Sequence, residues 1–203
     1  MPGTVGAPKV RRRPNLPLKR WITRAEFEAL MESGVFAPEE RLELLAGELI
    51  RREPVGTQHA VAVTLVSELL TRLTPQNLHV RVQLPLALGD YDEPFPDIAV
   101  VAGSPRDYLQ EHPTTAVLVV EIAETSLRTD RDIKGSLYAQ AGIPEYWLLN
   151  LKERVLEVYR DPAPDPKAIY GARYRQKQLL NPGDAIAPLF HPTTPIAVES
   201  LLP

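Results

Sequence analysis

Three side chains in this chain have the types and spacing for metal-assisted phosphodiester chemistry: Asp97, Glu121 and Lys134. Glu121 stands inside an aliphatic, mostly β-branched run over 117–122, which predicts a strand covered on both faces. An ionised carboxylate there loses its hydration, so it needs a partner, a shifted pKa or a metal. A strand end where Glu121 meets a structural Arg or Lys would also account for it. Asp97 opens a second apolar run in Pro96-Asp97-Ile98-Ala99-Val100-Val101, although Asp after Pro is also ordinary turn chemistry. Lys134 lies where Ile133, Leu137, Tyr138 and Ala141 recur at helical spacing, and Tyr138 shares its face. Alone, Lys134 reads as a solvated helix charge. Together the three residues offer two carboxylates on adjacent strands and one ammonium on the helix that follows, a set suited to divalent-metal hydrolysis.

The elements that must position this set are a strand, a polar loop, a short helix and a second buried strand over 116–150. Gly142 ends that helix as a C-cap glycine would, and Pro144 prevents its resumption. In these segments PDIAVV, VVEIAETSLRTDRDIK, YAQAGIPEYWLLN and RVLEVYR resemble the bacterial Uma endonuclease family of the restriction-endonuclease-like PD-(D/E)xK superfamily. The resemblance runs from Thr23 to the C-terminus and is most specific from Glu121 to Trp147.

The resemblance implies an α/β, restriction-endonuclease-like fold: a mixed central β-sheet flanked by helices, with an αβββαβ core and an antiparallel C-terminal extension. It further implies Asp97, Glu121 and the Ile122 carbonyl as ligands of one Mg²⁺ or Mn²⁺, with Lys134 orienting the water or stabilising developing charge. The superfamily's usual lysine stands two residues after the acid; that position is Ala123 here, so the lysine is taken from the next helix. Glu43, followed by Gly47 and Glu48, matches an outer carboxylate of the family pattern, although Ala46 replaces the usual acid before the glycine. A surface salt bridge would equally explain Glu43. His59 matches a position that could touch phosphate or water, and it also suits a helix cap. Asp130 and Arg131 match the motif between Glu121 and Lys134 and would shape the loop, Asp130 as N-cap of the Lys134 helix. Tyr138 would line the groove, or pack in the core with its hydroxyl at the rim. Glu145 would be a further acidic group near the site.

Composition sets bounds on these readings. The chain has 203 residues, enough for one domain with a sizeable core, and no cysteine, which excludes disulfides and thiolate metal sites. No apolar run approaches a membrane span and the N-terminus lacks a signal-peptide core, so a cytoplasmic protein is expected. The net charge of −3 is uneven: seven of 23 basic residues precede Glu26, the first acidic one, leaving 16 basic against 26 acidic residues. That acidic body argues mildly against tight DNA binding, while bound metal would offset part of it. Residues 1–20 read as a flexible, basic, proline-rich arm and 21–203 as a single nuclease domain.

Along the chain, Thr23 and Glu26 form a capping box for a first helix ended by Ser33-Gly34. A hairpin is expected around Ala46-Gly47, with helix as the alternative for 38–45. An amphipathic helix follows, facing the sheet through Val61, Leu65, Leu69 and Leu73 with Ala62, Val66 and Leu70 beside them. Leu78, Val80, Val82 and Leu84 form the buried side of a strand, against His79, Arg81 and Gln83. Arg106 and His112 sit in a polar excursion before the Glu121 strand as possible phosphate contacts. Segment 184–203 offers an edge strand or a dimer contact. The functional expectation is a metal-dependent endonuclease acting on DNA as a homodimer. The alternatives are a non-catalytic nucleic-acid- or protein-binding module, and a metal phosphoesterase acting on RNA or nucleotides.

Overall fold

The computed structural model describes residues 20–37, 39–52 and 54–203; the arm expected over 1–20 lies outside these, Arg20 excepted. The chain begins with helix α1 (Arg24–Glu32), whose Thr23–Glu26 capping box forms as expected and whose end carries Gly34 at φ 68°. It then turns into a hairpin of β1 (Leu42–Leu45) and β2 (Glu48–Arg51), joined by Ala46 and Gly47, both at positive φ. Two consecutive positive-φ residues give the twist that a two-residue hairpin loop requires, which decides for strand over helix in 42–45.

Helix α2 (Thr57–Leu73) leads into β3 (Leu78–Val82), β4 (Ile98–Ala102) and β5 (Leu118–Ala123). A π-helical turn over Thr129–Lys134 continues into α3 (Gly135–Gln140), then β6 (Glu145–Asn150), β7 (Val155–Pro164) and β8 (Ala172–Leu180). The six strands form one sheet in the order β3-β4-β5-β6-β7-β8. Only β5 and β6 are parallel; every other pair is antiparallel. Parallel neighbours require a crossover, and the Thr129–Gln140 helical stretch supplies it. The run α2-β3-β4-β5-α3-β6 is the expected αβββαβ core, with β7 and β8 as the antiparallel extension.

Both faces of the sheet are covered, which is why β5 and β6 bury all six of their residues. On one face Ala62, Val66 and Leu70 of α2 pack on Val120, Ile122 and Trp147. On the other, Leu137 and Tyr138 of α3 pack with Val119, Tyr146 and Leu148. A smaller cluster of Phe27, Leu42 and Leu44 fastens the hairpin beside the sheet, where Leu44 bridges Glu93.

Several local expectations are corrected. The buried face of α2 is centred on Ala62, Val66 and Leu70, one residue round from the anticipated stripe, and Val61 is exposed. In β3 the alternation fails: Arg81 is buried under the Tyr108 ring with its guanidinium on the Pro85 carbonyl, while Val82 and Leu84 are exposed. Gln83, at φ 52°, ends that strand. The tail forms a short antiparallel pair, β9 (Ala185–Ile186) and β10 (Ile196–Ala197). Its Ile186, Ile196, Val198 and Leu201 join the α2 side of the core, while Leu189 stays exposed.

Candidate functional site

The antiparallel register of β4 and β5 pairs Ile98 with Val120, which sets Asp97, just before β4, beside Glu121. Asp97 is fixed from several sides. Its Oδ2 accepts the Ile122 N–H at 2.9 Å, and its Oδ1 lies 2.9 Å from His59 Nε2 and accepts the Gln83 amide at 3.3 Å. Burial opposes ionisation of Asp97, but His59, the Ile122 N–H and the Lys134 ammonium outweigh it and hold its pKa below the usual value. Burial likewise opposes a charge on His59, and the Asp97 carboxylate overcomes it and raises the imidazole pKa.

Lys134 closes the π-helical turn and points into the sheet, with only 7 % of its side chain exposed. Its Nζ stands 3.0 Å from Glu43 Oε2, 3.1 Å from Glu121 Oε1 and 4.0 Å from Asp130 Oδ1. A fully desolvated ammonium would lose its proton; the three carboxylates reverse that and raise its pKa. One cation cannot neutralise so many anions. Burial drives Glu121 up to about 8, Lys134 pulls it down only in part, and Asp130, Asp97 and Glu43 add to the rise. Asp130, buried beside the same ammonium, is pushed up to about 6.

These side chains floor an open cleft with a cavity volume of about 210 Å³, walled by Arg41, Arg52, Phe95, Thr125 and Thr129. The structure therefore brings together Asp97, Glu121, Lys134, Glu43, His59 and Asp130, and Ile122 lines the same cleft. Glu43 arrives from the hairpin and also accepts the Phe95 N–H at 3.2 Å, so it is buried among partners rather than a surface salt bridge.

Several residues take local roles other than those expected, or lie outside the cleft. Asp130 lies inside the π-helical turn and takes the Ser126 hydroxyl on its carboxylate, so it is not the N-cap of the Lys134 helix. Arg131, three residues before Lys134, points away and grips Glu157 on β7. Tyr138 is wholly buried, its hydroxyl donating to Glu121 Oε1 at 2.6 Å, so it neither lines the groove nor reaches the rim. Glu145 belongs to a separate network with Trp147 Nε1, the Leu189 N–H and Arg160. Arg106 and His112 lie outside the cleft; His112 faces Arg81 instead. Gln83, Arg41 and Arg52 are cleft residues that pattern reading did not reach, because a strand-like alternation hid the positive-φ turn that aims Gln83 at Asp97.

Donor chemistry fits a hard divalent cation. The cleft floor offers carboxylate oxygens in excess of cationic charge, which is what Mg²⁺ or Mn²⁺ prefers. Among the described residues no three His, Asp or Glu side chains form a ready-made cage, and the Lys134 ammonium lies 3.0 Å from Glu43 and 3.1 Å from Glu121. No helix among the described residues is long and apolar enough to cross a membrane.

Comparison with known proteins agrees with the fold. The crystal structure of "a putative nuclease belonging to DUF820 from Anabaena variabilis ATCC 29413" superposes with a TM-score of 0.65 at 18 % identity, covering 89 % of this chain and 97 % of that one. That similarity supports the restriction-endonuclease-like architecture. Among curated proteins, none matches the chain. Residues 24–199, which hold the whole αβββαβ core, the hairpin and the cleft, match the Uma2 family, described as "Putative restriction endonuclease", and the chain belongs to that family.

Proposed function

We propose that the cleft is the active site of a metal-dependent endonuclease that hydrolyses phosphodiester bonds of DNA. The observation that carries this reading is the surplus of carboxylates, Glu43, Asp97, Glu121 and Asp130, around the single ammonium of Lys134 at the floor of an open cleft. Asp97, Glu121 and the Ile122 carbonyl would hold Mg²⁺ or Mn²⁺. When bound, the ion would polarise the scissile phosphate and lower the pKa of a water molecule.

The chain's own residues have distinct tasks. His59, Gln83 and the Ile122 N–H orient Asp97, so that its carboxylate keeps one rotamer and stays ionised. Tyr138 anchors Glu121 from below. Lys134 keeps its proton and offers N–H donors to a phosphoryl oxygen or to the attacking water, where preorganised charge is most effective. Glu43 holds that ammonium in place from the hairpin side.

The test is cleavage of supercoiled plasmid, single-stranded DNA and RNA with Mg²⁺ or Mn²⁺, comparing the wild type with Asp97→Ala, Glu121→Ala and Lys134→Ala. Metal-dependent nicking that all three substitutions abolish is the expected outcome. One observation favours a second reading: the ammonium fills the gap between Glu43 and Glu121, as in a closed structural ion cluster. A wild type inert on every substrate, with no metal binding by calorimetry, would make the protein a non-cleaving binding module on this fold.

A further inference from the structure

The walls of the cleft carry the opposite charge from its floor. Arg41, Arg51 and Arg52 flank the hairpin's outer edge and all three line the cavity. Of the other described arginines, Arg20, Arg24, Arg72, Arg128, Arg131, Arg160, Arg173 and Arg175 pair with carboxylates, while Arg81, Arg106 and Arg154 do not but lie outside the cleft. Arg41, Arg51 and Arg52 have no carboxylate within ion-pair distance among the described residues, although the body of the chain is acidic. An unneutralised arginine group is therefore concentrated where the chain has carboxylates to spare, and it faces a cavity.

Two of the three are also aimed. Arg41 reaches the Gln83 side-chain oxygen at 3.5 Å, and the same amide donates to Asp97. The Arg52 guanidinium lies over the Phe95 ring, 5.3 Å from its centroid, while the Phe95 N–H donates to Glu43. Each guanidinium is thus tied, through one neutral residue, to one carboxylate of the floor. The backbone joins them as well, since the Arg52 N–H donates to the Arg41 carbonyl at 2.7 Å. Burial lowers the Arg41 pKa and the Arg52 charge lowers it further, while the Asp97 carboxylate opposes the fall only in part.

We infer that Arg41 and Arg52 bind a second phosphate of the same nucleic-acid strand, next to the one presented to the carboxylates, and so set which linkage enters the site. This rests on the nuclease reading above. Arginine suits the task because its planar fork grips two non-bridging oxygens at once. The arrangement also lets an acidic protein hold a polyanion: attraction is confined to the rim, while the floor repels any phosphate not neutralised on arrival.

The experiment measures binding of a fluorescein-labelled single-stranded oligonucleotide by anisotropy over a salt series in EDTA, where no cleavage occurs, and KM and kcat with metal. It compares wild type, Arg41→Gln/Arg52→Gln, Arg41→Lys/Arg52→Lys and the exposed control Arg106→Gln, with thermal melts confirming folding. Losing the hold on that one phosphate reduces the slope of log K against log salt by about 0.7 on a single strand. Affinity falls about tenfold or more, and the loss appears in KM more than in kcat. The lysine pair retains the salt slope but loses affinity, because it keeps the charge and not the fork. Arg106→Gln changes neither. An unchanged slope and KM in a Gln pair that still cleaves overturns this proposal and leaves the nuclease reading standing. A wild type that neither binds nor cleaves overturns both.

Discussion

Two buried charge clusters lie on the same face of the sheet, and they differ in one respect. Around Lys134, carboxylates outnumber cations; around Glu157 on β7, the reverse holds, with Arg131, Lys177 at 2.8 Å and the Tyr159 hydroxyl all serving one carboxylate. Burial would raise the Glu157 pKa, but these donors hold it down to about 2, whereas Glu121 is driven up to about 8. Both clusters contain nearly inaccessible acids with good partners. Burial and pairing therefore do not distinguish a site from a structural ion pair. What sets the Lys134 cluster apart is charge left uncompensated beside an open cleft, the feature on which the proposed metal site rests.

Breaking the two clusters at their cations should give the largest contrast. Lys134→Met leaves three carboxylates buried without a counter-ion and should lower stability by about 3–5 kcal/mol in metal-free buffer. Mg²⁺ or Mn²⁺ should recover part of that in a thermal melt, while cleavage stays lost. Arg131→Met removes one of two cations from a partly exposed pair and should cost only about 1.5 kcal/mol, with the cleavage rate kept. Equal losses from the two variants would contradict the comparison.

The clusters should also answer pH with opposite signs. Glu121 has a raised pKa in the folded chain, so above about pH 4.5 the unfolded chain ionises first and stability falls until about pH 8. Glu157 has a lowered pKa, so its contribution is present above about pH 4.5 and is lost as pH falls towards about 2. Each arm is on the order of 1–3 kcal/mol. Melting curves from pH 2 to 9 should show Glu121→Gln flattening the neutral arm and Glu157→Gln the acid arm. Calorimetry at pH 7 in buffers of different ionisation enthalpy should show proton release on Mg²⁺ binding by wild type, since a ligand carboxyl must ionise. Glu121→Gln should abolish that release.

The finest test uses two tyrosines. Tyr138 donates to Glu121 and Tyr159 to Glu157, so either Phe substitution removes one buried hydroxyl bond and should lower stability by about 1 kcal/mol. Only Tyr138→Phe should also slow cleavage, because only Glu121 belongs to the proposed active site. Equal kinetics in the two variants would remove the distinction drawn here.

Much of this arrangement was legible in the residue pattern. The aliphatic runs of β5 and β6, the glycine and proline after α3 and the capping box of α1 each state a local preference that burial reinforced. Glu121 drew notice because a charge inside an apolar run has no local explanation. Alternation misled where tertiary packing overrode it, as in β3, where Arg81 goes inside beneath Tyr108 and Val82 stays outside.

What the amino-acid order determined by itself was most of the elements and the place of two acids and a lysine along them; the αβββαβ succession came from the family resemblance. The elements follow from interactions over a few residues, which periodicity records. Which way each charged side chain turns is decided only when distant elements meet. Glu43 comes to Lys134 from a hairpin 91 positions earlier, while Arg131, in the same helical turn as Lys134, is claimed by β7. Side chains so close in sequence diverge because each ion is settled by the partner that can reach it after the sheet has formed, and no local pattern encodes that partner.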